Sequence, residues 1–314
     1  MKKKLNKKKI SIFGSSGMLG AYLVKKLKEK GFKNLNLPKK ENLNLLNENK
    51  IQEYLKKNKP DIVINLAAKN AGALTIQKNK FEYLYQNTKI FQNLIFACYK
   101  NNTNILLNIS SASAYPNDNL KHKEEDILSG KLEKASEPYG LSKIHGIKLV
   151  EYLNESKSNF FSLVLPNVYG PKPLEKRNFQ FIDLFIRKFI NETNIKIILN
   201  KKLKREFLFI DDACDAIIFF LNKASNNEIY NHTINIRPSI NIQLVKVIKL
   251  ISNLTKNKSY KIINDKNIIN SSKMLNYNIL KKYSWKPKIK FIDGLKKTIK
   301  YYKKNKIKIK NIPI

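Results

Sequence analysis

Three glycines constrain this 314-residue chain more than any other feature. They stand in Gly14-Ser15-Ser16-Gly17-Met18-Leu19-Gly20, directly after the apolar run Ile10-Ser11-Ile12-Phe13 and directly before a stretch that predicts a helix from about Met18 to Lys30. Strand, glycine turn and helix in that order make a seat for a phosphate. The first glycine permits a tight turn, the second lets backbone approach a pyrophosphate at the helix N-terminus, and the third allows close helix-to-strand packing. The three-and-three spacing differs from the two-and-three spacing of the usual dinucleotide fingerprint. Gly14, Ser15, Ser16, Gly17, Met18, Leu19 and Gly20 are therefore candidate cofactor contacts.

Beyond the turn, short apolar runs alternate with longer amphipathic ones, the pattern of a parallel sheet covered by helices. Strands are expected around Leu35 to Leu37, Ile62 to Leu66, Ile105 to Ile109 and Phe161 to Leu165, with helices around Glu48 to Lys57, Phe81 to Lys100 and Tyr139 to Glu155. The fold class is α/β: a Rossmann-type doubly wound parallel sheet with a smaller C-terminal α+β substrate lobe. The turn cluster Pro166-Asn167-Val168-Tyr169-Gly170-Pro171 marks the boundary. Residues 1–166 form the expected cofactor-binding domain, with 205–222 returning to it, and 167–204 and 223–314 form the smaller lobe. From Tyr301 onward the lysine-rich tail is expected to be loosely held.

The end of the second strand bears on the cofactor. An acidic residue there binds the ribose hydroxyls of NAD, whereas positive charge suits the 2′-phosphate of NADP. The segment reads Leu37-Pro38-Lys39-Lys40-Glu41, without an acid at the strand end. NADP(H) is the expected cofactor, with NAD(H) the alternative.

Tyr139-Gly140-Leu141-Ser142-Lys143 puts a phenol and an ammonium four residues apart, on one face of one helix. A free tyrosine has a pKa near 10, and a nearby cation favours the phenolate, so this pair suits proton exchange with a carbonyl or hydroxyl. The preceding strand ends in Ser110-Ser111-Ala112-Ser113, which supplies a hydroxyl to orient the reacting oxygen. Ser111, Tyr139 and Lys143 are the candidate catalytic residues, gathered at the C-terminal edge of the sheet where ligands of doubly wound folds bind.

With these residues in view, the sequence resembles the extended short-chain dehydrogenases of the NAD-dependent epimerase/dehydratase type that act on nucleotide sugars, most closely the GDP-L-fucose synthase branch. The resemblance runs from about Ile10 to Asp212. It is carried by the glycine spacing, Glu41-Asn42-Leu43-Asn44-Leu45-Leu46, Ala67-Ala68-Lys69-Asn70-Ala71-Gly72, Tyr85-Gln86-Asn87, the run from Glu137 to Leu149, Asn167-Val168-Tyr169-Gly170-Pro171 and Arg205-Glu206-Phe207-Leu208. It implies hydride delivery from NADPH to the C4 ketone of a nucleotide-linked 4-keto-6-deoxy sugar, with Tyr139 as proton donor, Ser111 on the ketone oxygen and Lys143 tuning the phenol and bonding the nicotinamide ribose. By the same matching Lys40 faces the 2′-phosphate, Asn44 and Leu45 lie by the adenine, Ala67, Ala68, Asn167 and Val168 contact the cofactor, and Lys188 and Arg205 face the substrate diphosphate.

That branch also epimerises C3 and C5, through a cysteine two residues after the catalytic serine and a histidine on a later helix. Here Ser113 and Gln180 stand at those positions. A serine is a far weaker base than a thiolate, and a glutamine cannot donate a proton as imidazolium does. Reduction at C4 without epimerisation is the leading expectation. A C4 epimerase retaining its NAD(P), and a non-catalytic NADP(H)-binding regulator on the same fold, are the alternatives. The resemblance also implies a homodimer built on the helices near Phe81 to Lys100 and Tyr139 to Glu155, with Phe91, Leu94, Ile95, Ile147 and Leu149 as apolar contacts.

Composition excludes other classes. The formal charge of +37 invites a nucleic-acid reading, but only four of the 61 basic residues are arginine, and the lysines are spread from Lys2 to Lys310. Bidentate phosphate and base contacts favour arginine, so no specific nucleic acid is expected. Cys98 and Cys214 offer neither a disulfide framework nor a metal spacing. No secretory apolar region and no run of about 18 uncharged apolar residues occurs, so the expected location is the cytoplasm, with no membrane partner.

Overall fold

A computed structural model describes residues 5–154, 159–172, 180–229, 232–266 and 273–305. Chain order begins β1 (Ile10–Phe13), α1 (Met18–Glu29), β2 (Leu35–Asn36), α2 (Glu48–Asn58), β3 (Ile62–Asn65), α3 (Ala73–Lys78), α4 (Lys80–Lys100) and β4 (Ile105–Ser111). It continues with β5 (Lys121–His122), α5 (Glu137–Asn154), β6 (Asn159–Leu165), β7 (Asn167–Tyr169), α6 (Phe181–Asn191), β8 (Ile195–Leu199), β9 (Lys204–Phe209) and α7 (Ile210–Ser225). Last come β10 (Thr233–Asn235), β11 (Ile240–Gln243), α8 (Leu244–Thr255), β12 (Tyr260–Asn264), β13 (Met274–Leu275), α9 (Asn278–Lys281) and α10 (Phe291–Lys304).

The main sheet has six parallel strands in the order β10-β6-β4-β3-β1-β2. β1, β3 and most of β4 are buried along their length, as strands covered by helices on both faces must be. From β1 the chain goes to β2 on one side and then crosses to β3 on the other. The crevice beyond the C-terminal ends of β1 and β3 is therefore the switch point, where doubly wound folds take their ligands.

A row of polar side chains crosses this otherwise apolar sheet. Asn65, Asn108 and Ser162 are register partners on β3, β4 and β6. Asn65 Nδ2 donates to Asn108 Oδ1 at 3.0 Å, and Asn108 Nδ2 donates to Ser162 Oγ at 3.3 Å. All three are buried, and buried polar groups persist where they are paired.

The second half of the chain builds a three-stranded sheet, β11-β9-β7, and the parallel pair β12-β8, covered by α6, α8 and α10. Two expectations need correction. β10 joins the main sheet, pairing with β6 from Thr233↔Ser162 to Asn235↔Val164, so the large domain extends beyond 223. β9 does not return to the main sheet but pairs with β7 and β11, and only the helix after it, α7, packs on α1. Asn235 explains why three residues suffice to hold β10. It receives Tyr115 Oη on its Oδ1 at 2.7 Å and donates Nδ2 to the carbonyls of His122 and Asn276, each at 3.1 Å.

The tail is also better anchored than expected. Tyr302 is buried and donates to Asp183 Oδ1 at 2.9 Å, while residues 306–314 lie outside the described residues. On α4 and α5, Phe91, Leu94, Ile95 and Ile147 are buried within the subunit and face its own core, while Leu149 packs on that core and stays partly exposed. No described helix is long and apolar enough to cross a membrane.

Candidate active site

Two glycines let three chain segments meet at the switch point. Gly14 takes φ 81°, the left-handed region, and a Cβ on it would stand 2.7 Å from the Ala67 nitrogen at the end of β3. A Cβ on Gly20 would stand 2.2 Å from the Gly14 carbonyl oxygen, so α1 sits directly on the turn. Gly17 caps α1 with no side-chain hydrogen bond, and the first turn holds no acidic residue. The N–H groups of that turn are thus left to an anion, which the helix dipole favours.

Beside the turn lies a cavity of about 440 Å³ whose walls include Gly14, Gly17, Lys40, Asn44, Ala67 and Lys69. Ser16, Leu45 and Ala68 also line it. Of the other expected contacts, Met18 and Leu19 pack against the apolar core, Ser15 and Gly20 form the turn beneath, and Asn167 and Val168 lie on β7. A cavity bordered by a glycine turn and by Lys40 and Lys69 suits an anionic dinucleotide.

Buried asparagines that the sequence reading passed over hold the cavity walls. Asn87 on α4 accepts from Lys69 N at 2.7 Å and donates to Lys69 O at 2.9 Å. Six residues further along α4, Asn93 donates to the Leu45 carbonyl at 3.0 Å. Asn65 Oδ1 accepts from Ala67 N at 3.1 Å. The signal was present in part: Asn65 interrupts the apolar run Ile62 to Leu66, and Asn87 stands inside a matched segment.

The catalytic candidates converge through close backbone packing. A Cβ on Gly140 would stand 2.4 Å from the Ser113 carbonyl oxygen, so the serine turn after β4 is pressed against α5 immediately beside Tyr139. Gly146 likewise brings α5 against Asn108 and Phe91. Lys143 is only 4% exposed. It donates to the Ile109 carbonyl at 2.8 Å and sits 4.7 Å from the centre of the Phe91 ring and 5.5 Å from that of Tyr139. Ser111 Oγ accepts from Ser113 N at 3.2 Å and lies 3.3 Å from Ser113 Oγ.

Burial changes the electrostatics expected of this pair. It pushes the Tyr139 phenol above its ordinary range and the Lys143 ammonium down to about 7. Burial therefore overrides the expected lowering of the phenol by the lysine charge. Tyr139 remains a protonated donor, and Lys143 can gain or lose a proton near neutrality.

The remaining candidates are dispersed. Gln180 is exposed at the start of α6, while Ser113 is engaged with Ser111. Lys188 is buried on α6 with its ammonium 3.9 Å from Glu192 Oε2. Arg205, expected to stand open to a diphosphate, is ion-paired at 3.2 Å with Glu133.

Residues 10–236 match the sequence profile of the NAD dependent epimerase/dehydratase family. Among curated proteins the chain is similar to GDP-L-colitose synthase of Yersinia pseudotuberculosis, at 28% identity over 94% of this chain and 97% of that protein. It is 31% identical to GDP-L-fucose synthase of Escherichia coli K12 over 70% of this chain and 71% of that one. Among solved structures it is similar to GDP-mannoheptose C4 reductase of Campylobacter jejuni with NADP bound, with a TM-score of 0.83 and 26% identity covering 94% of this chain and 98% of that one.

Proposed function

The chain belongs to the NAD dependent epimerase/dehydratase family, as a nucleotide-sugar oxidoreductase, and from that premise we propose that it reduces the C4 ketone of a GDP-linked 4-keto sugar with NADPH and leaves C3 and C5 untouched. One observation carries the reading: a protonated Tyr139 and a Lys143 poised near neutrality share a helix face beside the serine turn, with Ser113 and Gln180 at the two positions expected to hold an epimerising cysteine and histidine. The similarity to a C4 reductase that binds NADP supports both the reaction and the cofactor.

When bound, the reduced nicotinamide cofactor supplies the hydride that the C4 carbon receives. Gly14 to Gly20 and the first turn of α1 would hold its pyrophosphate, Lys40 would serve its 2′-phosphate, and Asn44 and Leu45 would line the adenine end. Ala67, Ala68, Asn167 and Val168 complete the cofactor contacts. Ser111 Oγ donates to the ketone oxygen and sets its direction. Tyr139 Oη gives that oxygen its proton, so the alkoxide never accumulates. The Lys143 ammonium bonds the nicotinamide ribose and offsets the phenolate left on Tyr139, worth far more in a buried site than in water. Ser113 has neither the basicity nor the freedom to take a proton from C3 or C5, and Gln180 offers no titratable group.

The test is NADPH oxidation by the purified protein with GDP-4-keto-6-deoxymannose. Turnover is expected, and Tyr139→Phe abolishes it, by about a thousandfold or more, while NADPH binding measured by fluorescence is retained. Activity surviving in that variant contradicts the assignment.

The protein is further read as a homodimer. On the outer face of α4 and α5, Phe81 is 78% and Tyr85 52% exposed, their rings stacked 5.6 Å apart, with Leu141 beside them. A contiguous apolar face of this kind is what a second copy covers.

A further inference from the structure

Two cations beside the site share a single internal anion. Arg205, on β9, places Nη2 3.2 Å from Glu133 Oε1, and Lys273, just before β13, places Nζ 3.2 Å from Glu133 Oε2. Ser136 Oγ donates to that second oxygen at 3.1 Å. Two cations from distant parts of the chain and one hydroxyl therefore surround one carboxylate, leaving one positive charge in excess. Burial alone would raise the Glu133 carboxyl, but the charges of Lys273 and Arg205 outweigh it and hold the group below its ordinary value.

The bridge borders the catalytic groups. Ser136 N donates to the Glu133 carbonyl at 2.9 Å, and Gly140 N donates to the Ser136 carbonyl at 2.8 Å, so the turn carrying Glu133 is the turn that starts α5. On the other side, Asn167 Nδ2 donates at 2.9 Å to the carbonyl of Glu206, the neighbour of Arg205. Each of the three bridge side chains keeps some exposure, so an anion can reach them from solvent.

We propose that Glu133 is a built-in counter-ion, which occupies Arg205 and Lys273 until the diphosphate of the substrate displaces it. The inference rests on the reading above that the substrate is a nucleoside-diphosphate sugar. A diphosphate carries more charge and more acceptor oxygens than a carboxylate, so it out-competes Glu133 for the same donors. A monophosphate gains much less by the exchange. The internal anion thus subtracts the cost of its own displacement from any anion that takes Arg205 and Lys273, a cost the contacts of a diphosphate exceed, so it tempers affinity and keeps the two cations paired until that ligand arrives.

The test is calorimetric binding of GDP, GMP and NADPH to the full chain and to Glu133→Gln, which keeps the side-chain size but removes the charge. The variant is expected to bind GDP roughly tenfold more tightly, as removal of a competing charge at an anion site predicts. GMP gains by no more than that factor, because a ligand that makes fewer contacts with the freed cations recovers at most the cost of displacing Glu133, and NADPH is unaffected. Glu133→Ala carries the same expectation and serves if the amide variant does not fold. Unchanged or weaker GDP binding in both variants, with NADPH binding intact, overturns the counter-ion assignment alone. Failure of the unaltered protein to bind GDP while it binds NADPH overturns the substrate reading, and this inference with it.

Discussion

In the proposed mechanism Tyr139 and Lys143 hold the chemistry, and burial acts on them in opposite directions: it raises the phenol and brings the ammonium down to about 7. The lysine shift has a measurable sign. Its value in the folded protein lies below the roughly 10.4 of an unfolded lysine. Between about pH 7 and 10 the unfolded chain therefore binds a proton that the folded chain refuses, and stability rises with pH across that window. In denaturation of the cofactor-free protein, Lys143→Met is expected to be more stable than the unaltered chain at pH 7, with the gap closing by pH 9.5. A gap that widens contradicts the assignment. The Tyr-Lys pair was legible in the sequence because four-residue spacing on a helix is local information. Burial at that pair was not, since it depends on Phe91 and Ile109 from other elements. Glu133 with Lys273 was equally hidden: partners 140 residues apart leave no periodic trace.

At the scale of elements, the site depends on how closely α5 approaches the serine turn. Gly140→Ala places a methyl group where only 2.4 Å separates it from the Ser113 carbonyl, so the turn must move away from Tyr139. The turnover number is expected to fall on the order of a hundredfold, the usual effect of misplacing a reacting group by about an ångström. NADPH affinity should stay within about twofold, because the cofactor cavity lies between the glycine turn and α4, away from Gly140. Equal losses in both would assign Gly140 to folding instead. The glycine turn and the helices flanking it read clearly from the sequence because strand, turn and helix each carry their own pattern. β10 did not. Thr233-Ile234-Asn235 is too short for alternation to register, and its place in the sheet is secured by Asn235 reaching residues 115, 122 and 276, which no local window contains.

At the scale of the whole molecule, the six-stranded sheet sets the cofactor crevice at the meeting of β1 and β3, and the second half of the chain brings Arg205 and Lys273 to the turn that starts α5. The exposed pair Phe81 and Tyr85 leads to an expected dimer in sedimentation at micromolar concentration, which the double substitution Phe81→Ser and Tyr85→Ser dissociates without loss of fold. A monomer in the unaltered protein removes that reading. The central claim, that this chain reduces C4 and does nothing to C3 or C5, is tested most directly by NMR of the product formed from GDP-4-keto-6-deoxymannose and NADPH in deuterated water. The account predicts turnover with no deuterium at C3 or C5; deuterium at either carbon would contradict it.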